Sequence, residues 1–147
     1  MHPPPDIFHL HRFVEAQTGI YSSVVAELCQ GRKRGHWMWF IFPQIKGLGV
    51  SEQSRYYALA SLEEARAYWR HSLLGPRLEE CTRLVLGHTG CDLEIIFGYV
   101  DALKFHSSIT LFARATGAAV FQQALVAFFA GREDDNTLTR LTPSLGT

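Results

Sequence analysis

Residues 31–51, GRKRGHWMWFIFPQIKGLGVS, decide what kind of fold this chain adopts. Three basic residues, Arg32, Lys33 and Arg34, lead through Gly35 and His36 into six large apolar side chains, Trp37 to Phe42. Pro43-Gln44 and the glycines Gly47 and Gly49 close the stretch. Six apolar residues are too few to span a bilayer, which takes about 20. They suit a fully buried strand or core segment of about 4–8 residues. Burying that much aromatic surface contributes several kcal/mol, at roughly 25 cal/mol per Å². Chemistry is therefore expected at the polar rims of the stretch.

Towards the N-terminus, Gly31 ends a helix whose Val24, Val25, Leu28 and Cys29 form one apolar stripe, with Ser22 or Ser23 as cap. Before it, Asp6 caps a helix over 7–17, with Phe8, Phe13 and Val14 inward and His9, Arg12 and Glu15 outward. Residues 1–5, with three consecutive prolines, are expected to form a loose arm. Neither a basic nor an apolar leader segment is present there, so no signal peptide is expected.

Towards the C-terminus, Tyr56 and Tyr57 either continue a short strand or line a cleft. Ser61-Leu62-Glu63-Glu64 is a capping box, opening a helix with Leu62, Ala65, Tyr68 and Trp69 inward. Pro76 sits in the first turn of the next helix, whose stripe is Leu78, Cys81, Leu84 and Val85. Asp92 caps a helix over 93–97. In 101–117 the apolar Leu103, Ile109, Leu111 and Phe112 are interrupted by Lys104, His106, Ser107, Ser108 and Thr110. Residues 118–130 form an apolar helix stopped by Gly131. The tail supplies Leu138 and Leu141 to a short docking turn and frays over 142–147. The whole reads as a mainly α, single compact multihelical domain with one or two short central strands.

At 147 residues, with 47% hydrophobic and 19% charged side chains, the chain can bury a core without staples. Lys+Arg and Asp+Glu are equal at 14 each, so no overall field steers it to nucleic acid or a membrane. The basic run 32–34 reads as a solvated face. Cys29, Cys81 and Cys91 show no CxxC spacing and suit buried or free thiols in a reducing compartment. A soluble, cytoplasmic protein is expected.

His36 beside Trp37 is the sharpest single feature, because imidazole exchanges a proton near neutral pH and an indole can hold a ring in place. A histidine that merely caps the apolar segment is the alternative. No HExxH or CxxC…H spacing exists, so neither metal nor cofactor is expected. Lys104 with Ser107, Ser108 and Thr110 would suit a phosphate or ribose at a helix start; an ordinary capped loop competes with that reading. No GxSxG elbow supports a nucleophilic serine. The 47–49 glycines are no Walker or dinucleotide loop, yet permit close approach of backbone to a ligand. Among carboxylates, Asp101 is placed to pair with Lys104 three residues on, or to act in catalysis. Glu64 is committed to its capping box. Asp134 and Asp135 either cap the turn at Thr137 or reach into a cleft.

Taken together, these residues resemble a bacterial family of unknown function, numbered 1810 and often labelled calpastatin. The likeness covers roughly 8–141 and rests on GRKRGHWMWFIFPQIKGLGVS, YYAL with the later EA at 64–65, and HSLLGPRL at 71–78. It continues through IFGYVDALKFHSSITLF at 96–112 and the glycine-then-DDNTL segment at 131–138. The family usually has proline where Ser72 stands and a smaller aliphatic at Trp69. The calpain inhibitor is disordered and repetitive, a composition absent here, so the label is rejected. A second resemblance, in the order of elements, is to the NADAR domains, linked to ADP-ribose and riboside N-glycosidic chemistry. Tyr56-Tyr57, Lys104-Phe105 and Asp134-Asp135 take places similar to the motifs of those domains. The acidic residue that opens their aromatic motif has no counterpart before the tyrosines, where Ser54-Arg55 stand.

These resemblances imply an N-glycosidase or related hydrolase acting on a nucleotide-derived, ADP-ribose-type substrate. The expected cleft is built from His36, Gln44, the Gly47–Gly49 loop, Tyr57 and Lys104 to Thr110. Trp37 or Tyr57 would stack on a base, and Lys104, Ser107 and Ser108 would hold phosphate or ribose. Asp101 or Asp135 would stabilise oxocarbenium character or activate water. The expected partner is a small nucleotide-type ligand, not a membrane. A non-enzymatic module binding a nucleotide or peptide in the same cleft is the rival. A third reading, an interaction protein, requires an exposed apolar patch at Trp37 and Trp39.

Overall fold

The central apolar stretch is helical. In the computed structural model, which describes residues 5–141, Met38–Ile41 forms a single turn of helix. Trp37, Met38, Ile41 and Phe42 are buried, whereas Trp39 and Phe40 are half-buried. Burial at i, i+1, i+4 and i+5 is a helical stripe; a half-buried strand would have buried alternate residues and a fully buried one all six. Of the two readings, strand and core segment, the stretch is the second, and the strand is corrected to a turn of helix. Extended pairing among the described residues is confined to one parallel bridge, Ile45 to Leu59. There the Leu59 N–H donates to the Gln44 carbonyl at 2.9 Å, and the Lys46 N–H to the Leu59 carbonyl at 2.8 Å.

In chain order the helices are α1 (His11–Gln17), α2 (Tyr21–Gln30), α3 (Met38–Ile41), α4 (Glu52–Tyr56) and α5 (Leu62–Arg70). They continue as α6 (Leu74–Leu86), α7 (Leu93–Phe97), α8 (Tyr99–Thr116), α9 (Ala119–Phe129) and α10 (Asp135–Leu141). Their sequence signals are local and mostly as expected. Ser61 Oγ accepts the Glu64 N–H, Asp92 caps α7, and Gly31 ends α2 in the left-handed region at φ 73°. Pro76 falls in the first turn of α6. The expected arm at 1–5, but for Pro5, and the tail at 142–147 lie outside the described residues.

Three elements differ from expectation. Asp6 does accept the Leu10 and His11 N–H groups, at 2.7 and 2.9 Å, but the helix begins only at His11. Tyr56 and Tyr57 end α4 instead of continuing a strand, because Ser51 caps that turn by accepting the Ser54 N–H. The polar set at 104–110 interrupts nothing: α8 runs unbroken for 18 residues. Ser107 Oγ donates back to the Leu103 carbonyl, one turn earlier on the same helix, at 3.1 Å.

Helix α8 is the centre of the molecule and packs against α3, α5, α7, α9 and α10. Phe105, Ile109, Leu111 and Phe112 are fully buried on it. Phe105 meets Phe42 edge-on at 5.1 Å and Phe97 face-on at 5.2 Å. Phe112 links Tyr68 on α5 to Phe121 on α9 at 5.5 and 5.6 Å. Offset and edge-on contacts of this kind add about 0.5–1.5 kcal/mol each beyond area burial. The 37–42 turn is thereby fixed against the same helix that carries Lys104. Among the described residues, no helix is long and apolar enough to cross a membrane.

Candidate functional site

Glu27, near the end of α2, holds the 31–37 segment in shape. One oxygen of its carboxylate accepts the N–H groups of Arg34 and Gly35, at 2.7 and 3.0 Å, and the Trp37 indole at 2.9 Å. Burial pushes this carboxyl up, but those donors and the Lys33 ammonium outweigh it and hold the carboxyl below its ordinary value. With the loop fixed, Lys33 turns inward between α7 and α8. Its N–H donates to the Ile96 carbonyl at 2.7 Å, and its ammonium pairs with Asp101 at 2.8 Å. Only Arg32 and Arg34 belong to the solvated face expected of the basic run; the Lys33 side chain is 8% exposed.

Asp101 therefore has two cations, since Lys104, one turn further along α8, lies 3.2 Å from its other oxygen. The Lys104 ammonium also sits over the Trp39 ring, 4.6 Å from its centroid. Beyond it, Ser107 Oγ donates to Asp134 at 3.2 Å. That same Asp134 oxygen accepts the Thr137 N–H and hydroxyl, at 3.0 and 2.6 Å, and so caps α10. The Asp134 N–H in turn donates to Thr110 Oγ1 at 2.9 Å. This chain of contacts ties α10 to α8.

These groups border a cleft of about 400 Å³ between the 48–54 segment, α8 and the start of α10. Trp39, Lys104, Ser107 and Asp134 line it, with Gln44 and Asn136 adding amides. Leu48, Gly49, Val50, Val100 and Leu103 supply apolar wall, and Ser51 and Ser54 line it as well. Gly49 lies so close to Ser54 that a Cβ there would come within 2.6 Å of its side chain.

Of the residues expected in the site, Gln44, Gly49, Lys104 and Ser107 share this cleft. Gly47 does not line it and sits at φ 101° with the Arg140 guanidinium packed where a side chain would be. The others lie elsewhere. Trp37 is 3% exposed, its indole committed to Glu27 and one face to Lys33, so it stacks on no ligand. With Trp37 buried and Trp39 walling a cleft, the pair forms no exposed apolar patch. His36 is exposed, makes no hydrogen bond among the described residues, and does not line the cleft. Tyr57 packs against Phe13 and Phe40 and borders a separate shallow groove with Tyr56. Burial, then the neighbouring Tyr56, raises its phenol above the ordinary value.

Ser108 and Thr110 face the core, and the Ser108 hydroxyl has no hydrogen-bond partner among the described residues. Helical backbone N–H groups are spent on α8 itself at these positions, which removes the helix-start phosphate cradle. Asp101 is not part of the lining, and Asp135 is the exposed first residue of α10. Trp39, Lys33 and Asn136 were missed, while Asp134 was foreseen as a cap or cleft residue and is both. No local signal marks Trp39: the helical period puts 39 and 40 opposite the 37, 38, 41, 42 stripe only once that stripe is known to be covered. No group of three His, Cys, Asp or Glu side chains among the described residues is arranged to hold a metal ion.

No curated protein matches this sequence. A solved structure, that of a conserved hypothetical protein from Mycobacterium tuberculosis, is 54% identical and superposes with a TM-score of 0.92. The match covers 95% of this chain and 100% of the mycobacterial one. The profile of a family described as protein of unknown function (DUF1810) matches residues 7–141, and the chain belongs to that family.

Proposed function

We propose that the cleft binds a nucleotide-derived ligand of the ADP-ribose type and hydrolyses its N-glycosidic bond. The observation that carries this reading is the convergence of Trp39, Lys104, Ser107 and Asp134 on one cleft of about 400 Å³. An indole offers a face to a base, an ammonium meets a phosphate, and the amides of Gln44 and Asn136 suit ribose hydroxyls. The resemblance of the motif order to NADAR domains supports the same substrate class.

The chemistry falls to Asp134 in place of Asp101 or Asp135. Three donors converge on one of its oxygens, and the other has no hydrogen bond among the described residues. As the bond from the anomeric carbon to the base nitrogen breaks, the base leaves with the electron pair and positive charge grows on the sugar. A fixed carboxylate stabilises that charge. Water adds to the anomeric carbon, and its proton passes through the carboxylate to the departing base. A binding module without turnover is the second reading, favoured by the structural work Asp134 already does as the cap of α10.

A thermal-shift series with ADP-ribose, NAD, nucleotides and free sugars tests the site. A ligand at 100 times its dissociation constant stabilises the native state by roughly 2.7 kcal/mol, and Lys104→Ala is expected to abolish that shift while leaving the unliganded melting point near its original value. Release of base or ribose from the stabilising ligand distinguishes hydrolysis from binding. No shift with any of these compounds would overturn the nucleotide reading.

A further inference from the structure

Two ammonium groups share one carboxylate beside the cleft, and they are not equivalent. Lys33 is the fixed one. It is 8% exposed, pairs with Asp101 at 2.8 Å, donates to the Gly35 carbonyl and lies 5.2 Å from the Trp37 ring centroid. Lys104 is the looser one. It is 21% exposed, sits at a longer 3.2 Å from Asp101, and lines the cleft. Asp101, at 18% exposure, keeps a close partner in Lys33 whenever Lys104 turns away.

The other carboxylates nearby do not take up that role. Glu27 attracts Lys33, but its hydrogen bonds go to the 34–37 segment. Asp134 holds the start of α10. Without Lys33, Asp101 would claim Lys104 wholly, because a partly buried carboxylate stripped of its counter-ion is costly.

We propose that Lys33 sets the charge available in the cleft: by neutralising Asp101 it leaves the Lys104 ammonium to an anionic group of the ligand, a phosphate or diphosphate. Lys33 is thus a positioning residue that never touches the ligand, and Asp101 is the element through which it acts. This rests on the reading of the cleft as a nucleotide site and specifies which end of the nucleotide Lys104 meets.

Isothermal titration of the full chain with ADP-ribose, adenosine and inorganic pyrophosphate tests it. Lys33→Met is expected to weaken ADP-ribose roughly tenfold, because Lys104 is then held by Asp101. The double variant Lys33→Met/Asp101→Asn removes one charge of each sign and is expected to return affinity to within about threefold of the original. Lys33→Arg, which keeps the cation, should stay near the original, and adenosine binding should be the same in all. A merely structural Lys33 would leave the double variant as weak as the single one or weaker. If Lys33→Met does not fold, Lys33→Gln replaces it in both variants.

The outcomes separate the two ideas. ADP-ribose binding that is indifferent to Lys33→Met, or not restored in the double variant, overturns the role of Lys33 and leaves the nucleotide site standing. Pyrophosphate binding that follows the expected pattern, with neither ADP-ribose nor adenosine bound, keeps the role of Lys33 and overturns the nucleotide site. Failure of all three ligands to bind the original protein overturns both.

Discussion

Cys81 shows how much a side chain's surroundings decide its chemistry. It is fully buried on α6, and its thiol is the donor to the Tyr21 hydroxyl at 3.7 Å. Burial pushes that thiol up to about 12, so the reactive thiolate is scarce at any ordinary assay pH. Cys29 and Cys91 are exposed and free. Titration of the native protein at neutral pH with an aromatic disulfide should therefore find two fast-reacting thiols, the third appearing only in denaturant. Three fast thiols would contradict the packing around Tyr21. The apolar stripe expected on α2 put Cys29 inward with Val24, Val25 and Leu28, but Cys29 falls on the outer face. One step of 100° around a helix separates the two outcomes, and only the tertiary neighbours fix which side is in.

At the scale of elements, the corner between α5 and α6 is closed by a glycine. A Cβ on Gly75 would sit 1.9 Å from the Trp69 carbonyl oxygen, and that atom belongs to backbone that cannot turn aside. Gly75→Ala is expected to destabilise the protein by about 2 kcal/mol or more, an overpacking cost read from urea denaturation. A loss below 0.5 kcal/mol, roughly the level of a surface change, would mean the corner opens freely. Elements with their own punctuation were legible here. The Ser61 cap, the Asp92 cap and the stop at Gly31 placed α5, α7 and the end of α2 without knowledge of their neighbours. The 37–42 turn was not legible as helix, because six consecutive apolar side chains show no period until one side is known to be covered. The polar set on α8 misled for the converse reason. Ser107, Ser108 and Thr110 look like a binding loop in sequence, yet Ser108 and Thr110 face α8's buried side and only Ser107 reaches the cleft.

Across the whole molecule, the N-terminal helix is anchored by one buried ion pair. Arg12 and Glu64 meet at 2.9 Å with side chains 8% and 6% exposed. The guanidinium also donates to the carbonyls of Phe8, His9, Tyr56 and Ala58, so α1, α4 and the start of α5 share one cation. Arg12→Ala leaves the Glu64 carboxylate buried with the Ala60 N–H and no cation, at an expected cost of about 3–5 kcal/mol in chemical denaturation. Arg83→Ala, which breaks the exposed pair with Glu79, should cost only about 0–1 kcal/mol by the same measurement. Equal losses in the two variants would show that Arg12 is not the anchor. Arg12 was expected to point outward, as a charged residue on an amphipathic helix does by default. Its partner lies 52 residues away, and no local pattern carries that pairing. The candidate site was legible to the same degree: the rims of the 31–51 stretch located it, whereas Asp134 and Asn136 arrive from the far end of the chain.

The ammonium of Lys104 above the Trp39 ring has an optical consequence. Indole emission responds to a charge held against the ring, and of the three tryptophans only Trp39 borders the cleft. Trp37 is sealed in the core and Trp69 lies against Phe121, so their light stays constant as the cleft fills. Trp39 is therefore a built-in lamp at the mouth of the site, and any anion that draws Lys104 away reports its own arrival by colour and brightness, with no label attached.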